Sequence, residues 1–102
     1  MTRLTSYEKG GFFKLPPEHL APFASLFAPS KQGGRLLDPC AGEGEALAFF
    51  ANAWNLTPYA NELDDERAAR CKERFGPRQT VHGDMFTLKA SNYSFDLWLN
   101  PP

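Results

Sequence analysis

Cysteine is scarce in this chain, and its scarcity excludes two classes of small protein. Cys40 and Cys71 are the only two cysteines, far apart in sequence, with no second cysteine or histidine at metal-ligand spacing around either. Neither a disulfide framework nor a zinc site fits that pattern, so the sequence predicts reduced thiols of a cytosolic protein and no metal. Long apolar runs are also lacking. None is long enough to span a bilayer, and residues 1–10 are too polar for a signal peptide, so a cytoplasmic location with no membrane partner is expected. A surplus of basic residues is missing too: the formal net charge is −1, and composition by itself does not announce a nucleic-acid partner. Repeats and low-complexity tracts are absent.

What is present suits one globular domain. The chain has 102 residues, 42% of them hydrophobic and nine of them Phe, enough for a packed core of modest stability. Pro and Gly divide it clearly. Residues 1–34 read as a polar and then aromatic arm, broken by Pro16 and Pro17, that leads into a helix over residues 18–27. Leu20, Phe23, Ala24 and Phe27 recur at helical spacing there and predict a buried face. From residue 35 to residue 102 the pattern changes to strands alternating with helices. Arg35–Asp38 is a short apolar run closed by an acid, followed by a glycine turn and a helix over Glu45–Trp54. Thr57–Glu62 forms a second strand, and residues 64–75 an amphipathic helix ended by Gly76 and Pro77. Residues 78–82 predict a third strand, Gly83 and Asp84 a turn, and residues 95–99 a fourth strand that runs into Asn100, Pro101 and Pro102.

This alternation implies an α/β fold: a Rossmann-like, doubly wound parallel sheet, partial with about four strands, carrying an N-terminal arm and helix. Ligands of such sheets sit beyond the carboxyl ends of the strands. Asp38, Glu62, Asp84 and Asn100 all fall at those ends, so the fold gathers four polar residues along one cleft.

Each has a ligand role and a plainer alternative. Gly42 and Gly44 permit positive φ and let a ligand with a carboxylate or other polar tail approach bare backbone where a helix begins, although a Gly-x-Gly pair also occurs as a simple tight turn. Glu62 stands where doubly wound folds place an acid that accepts hydrogen bonds from a ribose diol; the alternative is an acid opening the next helix. Asp84 is suited to the exocyclic amine of an adenine, with Met85 and Phe86 against its ring, or else to capping a turn. His82 reads as structural rather than as a base. Asn100 offers an acceptor beside Pro101, whose missing N–H leaves a neighbouring carbonyl unpaired. Such a strip can hold an amine by its two hydrogens and aim its lone pair.

The order and spacing of these motifs resemble a class I S-adenosylmethionine-dependent methyltransferase of the amino-methylating type. Leu37-Asp38-Pro39-Cys40-Ala41-Gly42-Glu43-Gly44 resembles the cofactor loop, Asn61-Glu62-Leu63 the ribose-binding acid, and Gly83-Asp84-Met85-Phe86 the adenine site. Leu99-Asn100-Pro101-Pro102 resembles the catalytic Asn-Pro-Pro-aromatic motif. The front segment from Lys9 to Pro17 is similar to one that folds over the methionine end of the cofactor in adenine-specific DNA methyltransferases; Leu15 stands where they carry Thr.

The resemblance implies S-adenosylmethionine as cofactor, DNA as partner, and catalysis by Asn100, Pro101 and Pro102. Cofactor contacts are implied for Phe12, Phe13, Pro16, Asp38, Pro39, Ala41, Gly42, Glu43, Gly44, Glu62, Leu63, Asp84, Met85 and Phe86. It covers nearly the whole chain but about half of a catalytic domain, with no aromatic after Pro102 on which a flipped base would stack. The expectation is therefore the cofactor-binding half of an enzyme, inactive alone, with a fourth strand whose open edge invites a homodimer or a partner chain. Alternative expectations are methylation of an RNA base or a protein glutamine, or a binding module without catalysis. A dinucleotide oxidoreductase fits less well, because Leu47 stands at the position of its third glycine.

Overall fold

The computed structural model describes residues 15–89 and 94–98. Four parallel strands form one open sheet: β1 (Arg35–Asp38), β2 (Thr57–Glu62), β3 (Thr80–His82) and β4 (Leu97–Trp98), in spatial order β3-β2-β1-β4. The chain therefore moves outward from β1 through β2 to β3, then returns to the other side of β1. That reversal is the topological switch point of an α/β sheet, where ligands of such folds bind in a crevice at the carboxyl ends of the strands.

Among the described residues, three α-helices accompany the strands: α1 (Leu20–Ala24), α2 (Glu45–Trp54) and α3 (Asp65–Phe75). Strand register sorts the side chains between the two faces. Leu36 pairs with Pro58, Asp38 with Ala60, Ala60 with Thr80 and Glu62 with His82, so these residues share one face. Leu36 and Ala60 pack there with Leu47, Phe50, Ala51 and Trp54 of α2 and Cys71 of α3 as the buried core. The two strand-ending acids lie on this same helix-covered face, which is why both are buried, Asp38 at 2% and Glu62 at 5% exposure. The opposite face carries Leu37, Tyr59, Val81 and Phe95, which line a shallow groove with Arg78 and Lys89. Among the described residues, no helix is long and apolar enough to cross a membrane.

The boundaries of β1, α2 and β2 agree with the sequence reading, and four others shift for local reasons. The N-terminal helix is shorter than residues 18–27. A 3-10 turn, Pro17–His19, precedes the five residues of α1. Beyond Ala24 the chain tightens into three-residue turns, Leu26 N–H to Phe23 O and Phe27 N–H to Ala24 O, while the Ser25 hydroxyl donates back to Pro22 O at 2.6 Å, a competition with the helical ladder typical of serine. Its buried face is also narrower than expected. Ala24 alone is buried and Leu20 is half-buried, while Phe23 and Phe27 remain 43% and 53% exposed although their rings touch Phe50 and Trp54 at 5.3 and 5.4 Å.

Asp64 caps α3 instead of starting it, accepting from Arg67 N–H at 3.0 Å. β3 begins at Thr80, since Pro77 starts a 3-10 turn, Pro77–Gln79, after Gly76. β4 begins at Leu97, because Asp96 instead clasps the start of β1: its carboxylate accepts from Arg35 N–H at 2.8 Å, and its own N–H donates to Arg35 O. Phe12, Phe13, Leu99, Asn100, Pro101 and Pro102 lie outside the described residues.

Candidate cofactor site

The site grows from the turn between β1 and α2. Gly42 and Gly44 both have positive φ, +61° and +87°, conformations that side-chain-bearing residues rarely adopt. Gly44 is doubly constrained, because a Cβ there would come within 2.6 Å of the Phe75 ring. Between them the chain reverses through Gly44 N–H to Ala41 O at 3.0 Å and enters α2 with no side-chain cap among the described residues. A helix start without a side-chain acceptor, reached through glycines, suits an anionic ligand group.

Asp38 closes β1 directly beneath this turn, and its carboxylate accepts from Cys40 N–H at 3.0 Å. Burial pushes its pKa up from 3.8 to about 7, against the pull of that hydrogen bond and with a further push from the charge of Glu62. A buried acid poised near neutrality beside a cleft is a common signature of a functional carboxylate.

Glu62, at the end of β2, is the anchor of the turn. Its Oε1 accepts from Gly42 N–H at 2.7 Å, and its Oε2 accepts from Asp64 N–H at 2.9 Å and from Arg67 Nε at 3.3 Å. A carboxylate offers about four acceptor positions, so the described residues fill most of them and leave room on Oε1. Glu62 thus takes the helix-opening role that the sequence offers as the alternative, and it organises the glycine turn as well.

Asp84, after β3, caps the 3-10 turn Met85–Thr87 by accepting from Phe86 N–H at 2.9 Å, as the capping alternative expects. Its other oxygen has no protein partner among the described residues. Phe86 is 86% exposed and Leu63 65%, two large apolar side chains presented at the ends of neighbouring strands. Met85 is half-buried, its sulfur 3.3 Å from Cys40 Sγ. His82 Nε2 meets Leu63 O and Asp65 Oδ1, each at 2.9 Å, the structural role the sequence favours.

Convergence of the three acids is visible in the Cys40 thiol. Its pKa is raised by burial and then by the charges of Asp38, Glu62 and Asp84 in that order, so all three carboxylates act on the one thiol. Pro39 and Ala41 are buried in the same turn, with Ala41 N–H donating to Asn61 O at 2.9 Å. Pro16 is exposed at the entry to the N-terminal turn and accepts from His19 N–H. The structure therefore unites Asp38, Pro39, Ala41, Gly42, Glu43, Gly44 and Glu62 in one tight unit, with Asp84 and Met85 beside it.

Two contributors escape a reading of the sequence. Asn61, 1% exposed, donates its side-chain amide to Pro39 O and Gly83 O, both at 3.0 Å, and so ties the β1 turn to the β3 turn. Asn61→Ala leaves the buried Pro39 carbonyl and the half-buried Gly83 carbonyl without this donor, and a loss of about 2–3 kcal/mol of stability is expected in urea unfolding. The second is the face of α3, where Arg70 pairs with the Glu43 carboxylate, Arg74 Nε donates to Glu43 O at 3.3 Å and Cys71 Sγ donates to Gly42 O at 3.1 Å. The only signal is the spacing of positions 67, 70, 71, 74 and 75, which puts them on one helical face; their charges make that face look like a solvated one.

Comparison with known proteins adds one finding. Searches of curated proteins and of solved structures found no match, whereas the model of an uncharacterised methyltransferase family (DUF6094) matches residues 1–102. With the glycine turn, the strand-end acids and the switch point already in place, this match gives the geometry its enzyme class: the chain belongs to that methyltransferase family.

Proposed function

We propose that the crevice binds S-adenosylmethionine and that the chain forms the cofactor-binding half of an enzyme that methylates the exocyclic amine of adenine in DNA. The observation that carries the reading is the cluster of strand-end acids at the glycine turn: Asp38 accepts from Cys40 N–H, Glu62 accepts from Gly42 N–H, and Asp84 follows the neighbouring strand β3. Such a cluster suits a ligand with an ammonium, a carboxylate, a ribose and an adenine. When bound, the cofactor supplies an electrophilic methyl group on a sulfonium.

Asp38 is the acceptor for the ammonium, and its tendency to hold a proton in the free protein disappears once a cation lies beside it. The first turn of α2 and the Gly42–Gly44 backbone receive the carboxylate. Glu62 takes a ribose hydroxyl on the open side of Oε1, and the 3.3 Å contact with Arg67 is the one that most easily yields to a second. Asp84 accepts from the adenine amine, and Leu63, Met85 and Phe86 cover the ring faces. Phe12, Phe13 and Pro16 are assigned to the methionine end. Asn100, Pro101 and Pro102 are assigned to the target amine, which they hold through its two hydrogens and turn toward the methyl group. DNA as partner, pairing of another polypeptide along the outer edge of β4 and a cytoplasmic location belong to the same reading.

Methyl transfer from labelled S-adenosylmethionine tests it, using the longest polypeptide that carries this sequence and separate pools of DNA, RNA and glutamine-containing peptide. Label in N6-methyladenine of the DNA is expected. Label confined to RNA or to peptide glutamine would overturn the substrate assignment while leaving the cofactor assignment intact.

A further inference from the structure

We propose that Cys71 is a positioning residue: its buried thiol holds the Gly42 peptide in the orientation that the cofactor turn requires. This deepens the cofactor reading above and rests on it for its binding readout alone. The Gly42 residue is gripped on both sides. Its N–H donates to Glu62 Oε1 at 2.7 Å, and its C=O accepts from Cys71 Sγ at 3.1 Å. Rotation of either flanking peptide breaks one of these bonds, so together they hold the left-handed conformation of Gly42, φ +61°, in a turn that glycine by itself leaves loose.

The thiol is built for this task and for little else. Cys71 is 0% exposed, and burial lifts its pKa to about 11, assisted by the charges of Glu62 and Asp38. It therefore stays a protonated donor at any physiological pH and is a poor nucleophile. It does not act alone on the turn. One residue back on α3, Arg70 pairs with the Glu43 carboxylate, and one turn on, Arg74 donates to Glu43 O, so successive residues of the turn are tied to successive turns of α3. Arg67 of the same helix face reaches Glu62 Oε2, and α3 thereby fixes the turn directly and also through its acid anchor. A thiol donor meets the Gly42 carbonyl without bringing a second polar acceptor into the apolar core, where Cys71 packs among Leu36, Leu47 and Ala60.

Comparing Cys71→Ala with Cys71→Ser separates the donor from its bulk. Amide hydrogen exchange across the chain, read by NMR, gives a readout that needs no cofactor. In Cys71→Ala, exchange at Gly42 is expected to accelerate about tenfold more than at Leu36, Leu47 and Ala60, and affinity for S-adenosylmethionine to fall about three- to tenfold, in keeping with the loss of one modest hydrogen bond. Cys71→Ser, which keeps a donor at the same place, is expected to restore both. Equal acceleration at every amide in Cys71→Ala would show a merely structural core residue and overturn the proposal, as would identical behaviour of the two variants. If the unsubstituted protein takes up no S-adenosylmethionine, the cofactor reading fails, while the exchange pattern still decides the role of Cys71.

Discussion

Replacement of Asp38 by Asn is expected to remove a large part of the protein's pH-dependent stability and, in the same step, to weaken cofactor binding. The Asp38 carboxyl has its pKa raised from 3.8 to about 7, chiefly by burial. A raised carboxyl pKa means that the folded state holds a proton that the unfolded chain releases. The contribution of Asp38 is therefore fully present below its ordinary value of 3.8 and is lost as pH rises through about 7. About three units at ~1.4 kcal/mol each give a loss of about 4 kcal/mol across that window, a large share of the stability of a small domain. The substituted amide keeps an acceptor for Cys40 N–H and has no proton to lose, so urea unfolding at a series of pH values is expected to show a much flatter profile between pH 3.8 and about 7. Asp64, half-buried at the start of α3, has its pKa lowered by the Arg67 N–H bond. Its effect has the opposite sign, being lost as pH falls, and it remains in the variant. Cofactor affinity of the variant is expected to drop by about tenfold or more, since a charge-assisted partner becomes a neutral one.

Glu62→Ala is expected to act on stability and binding together, and in the same direction. The carboxylate receives Gly42 N–H, Asp64 N–H and Arg67 Nε, and it is almost wholly buried. Its removal strands two backbone donors and one guanidinium, a loss of about 3–5 kcal/mol for a buried charged group with several partners. Thermal unfolding is expected to show a fall of well over ten degrees, by the usual scaling of about 4–8 °C per kcal/mol in a domain of this size. Binding of S-adenosylmethionine is expected to vanish even under conditions where the variant is folded, because the ribose acceptor and the anchor of the glycine turn are lost at once. Glu62→Gln keeps one acceptor oxygen but presents a donor to donors, so it should be intermediate in unfolding and nearly as poor in binding. Wild-type affinity in a folded Glu62→Ala would show that Glu62 has only the structural half of this role.

Both acids are legible in the sequence because their signals are local. An apolar run closed by an acid, a glycine pair and a helical period lie within a few residues of one another, so β1, α2 and β2 fall where the sequence places them. The N-terminal helix misleads for a physical reason. Phe23 and Phe27 have the right period but lie on the outside of a layer whose inner partners, Phe50 and Trp54, take only one side of each ring. Pro22 and Ser25 then shorten the ladder.

The supports of the site are the least legible part. Asn61 resembles any turn-forming residue at a strand end, and nothing local marks its amide as the link between Pro39 and Gly83. Arg70 and Arg74 look like solvent-facing charges because their partner, Glu43, lies on a different element. Cys71 looks like one of two spare thiols, and only the packing of α3 over the turn brings its Sγ to Gly42 O. In each case the partner is distant in sequence, and the residue type alone does not encode it.

The central claim, a cofactor cleft at the carboxyl ends of β1 and β2, is tested most directly by titration calorimetry of this chain with S-adenosylmethionine and S-adenosylhomocysteine. Saturable one-site binding of both is expected, lost in Glu62→Ala and weakened in Asp38→Asn and Asp84→Ala. A folded, unsubstituted chain that gives no binding heat with either ligand at several temperatures would contradict the account.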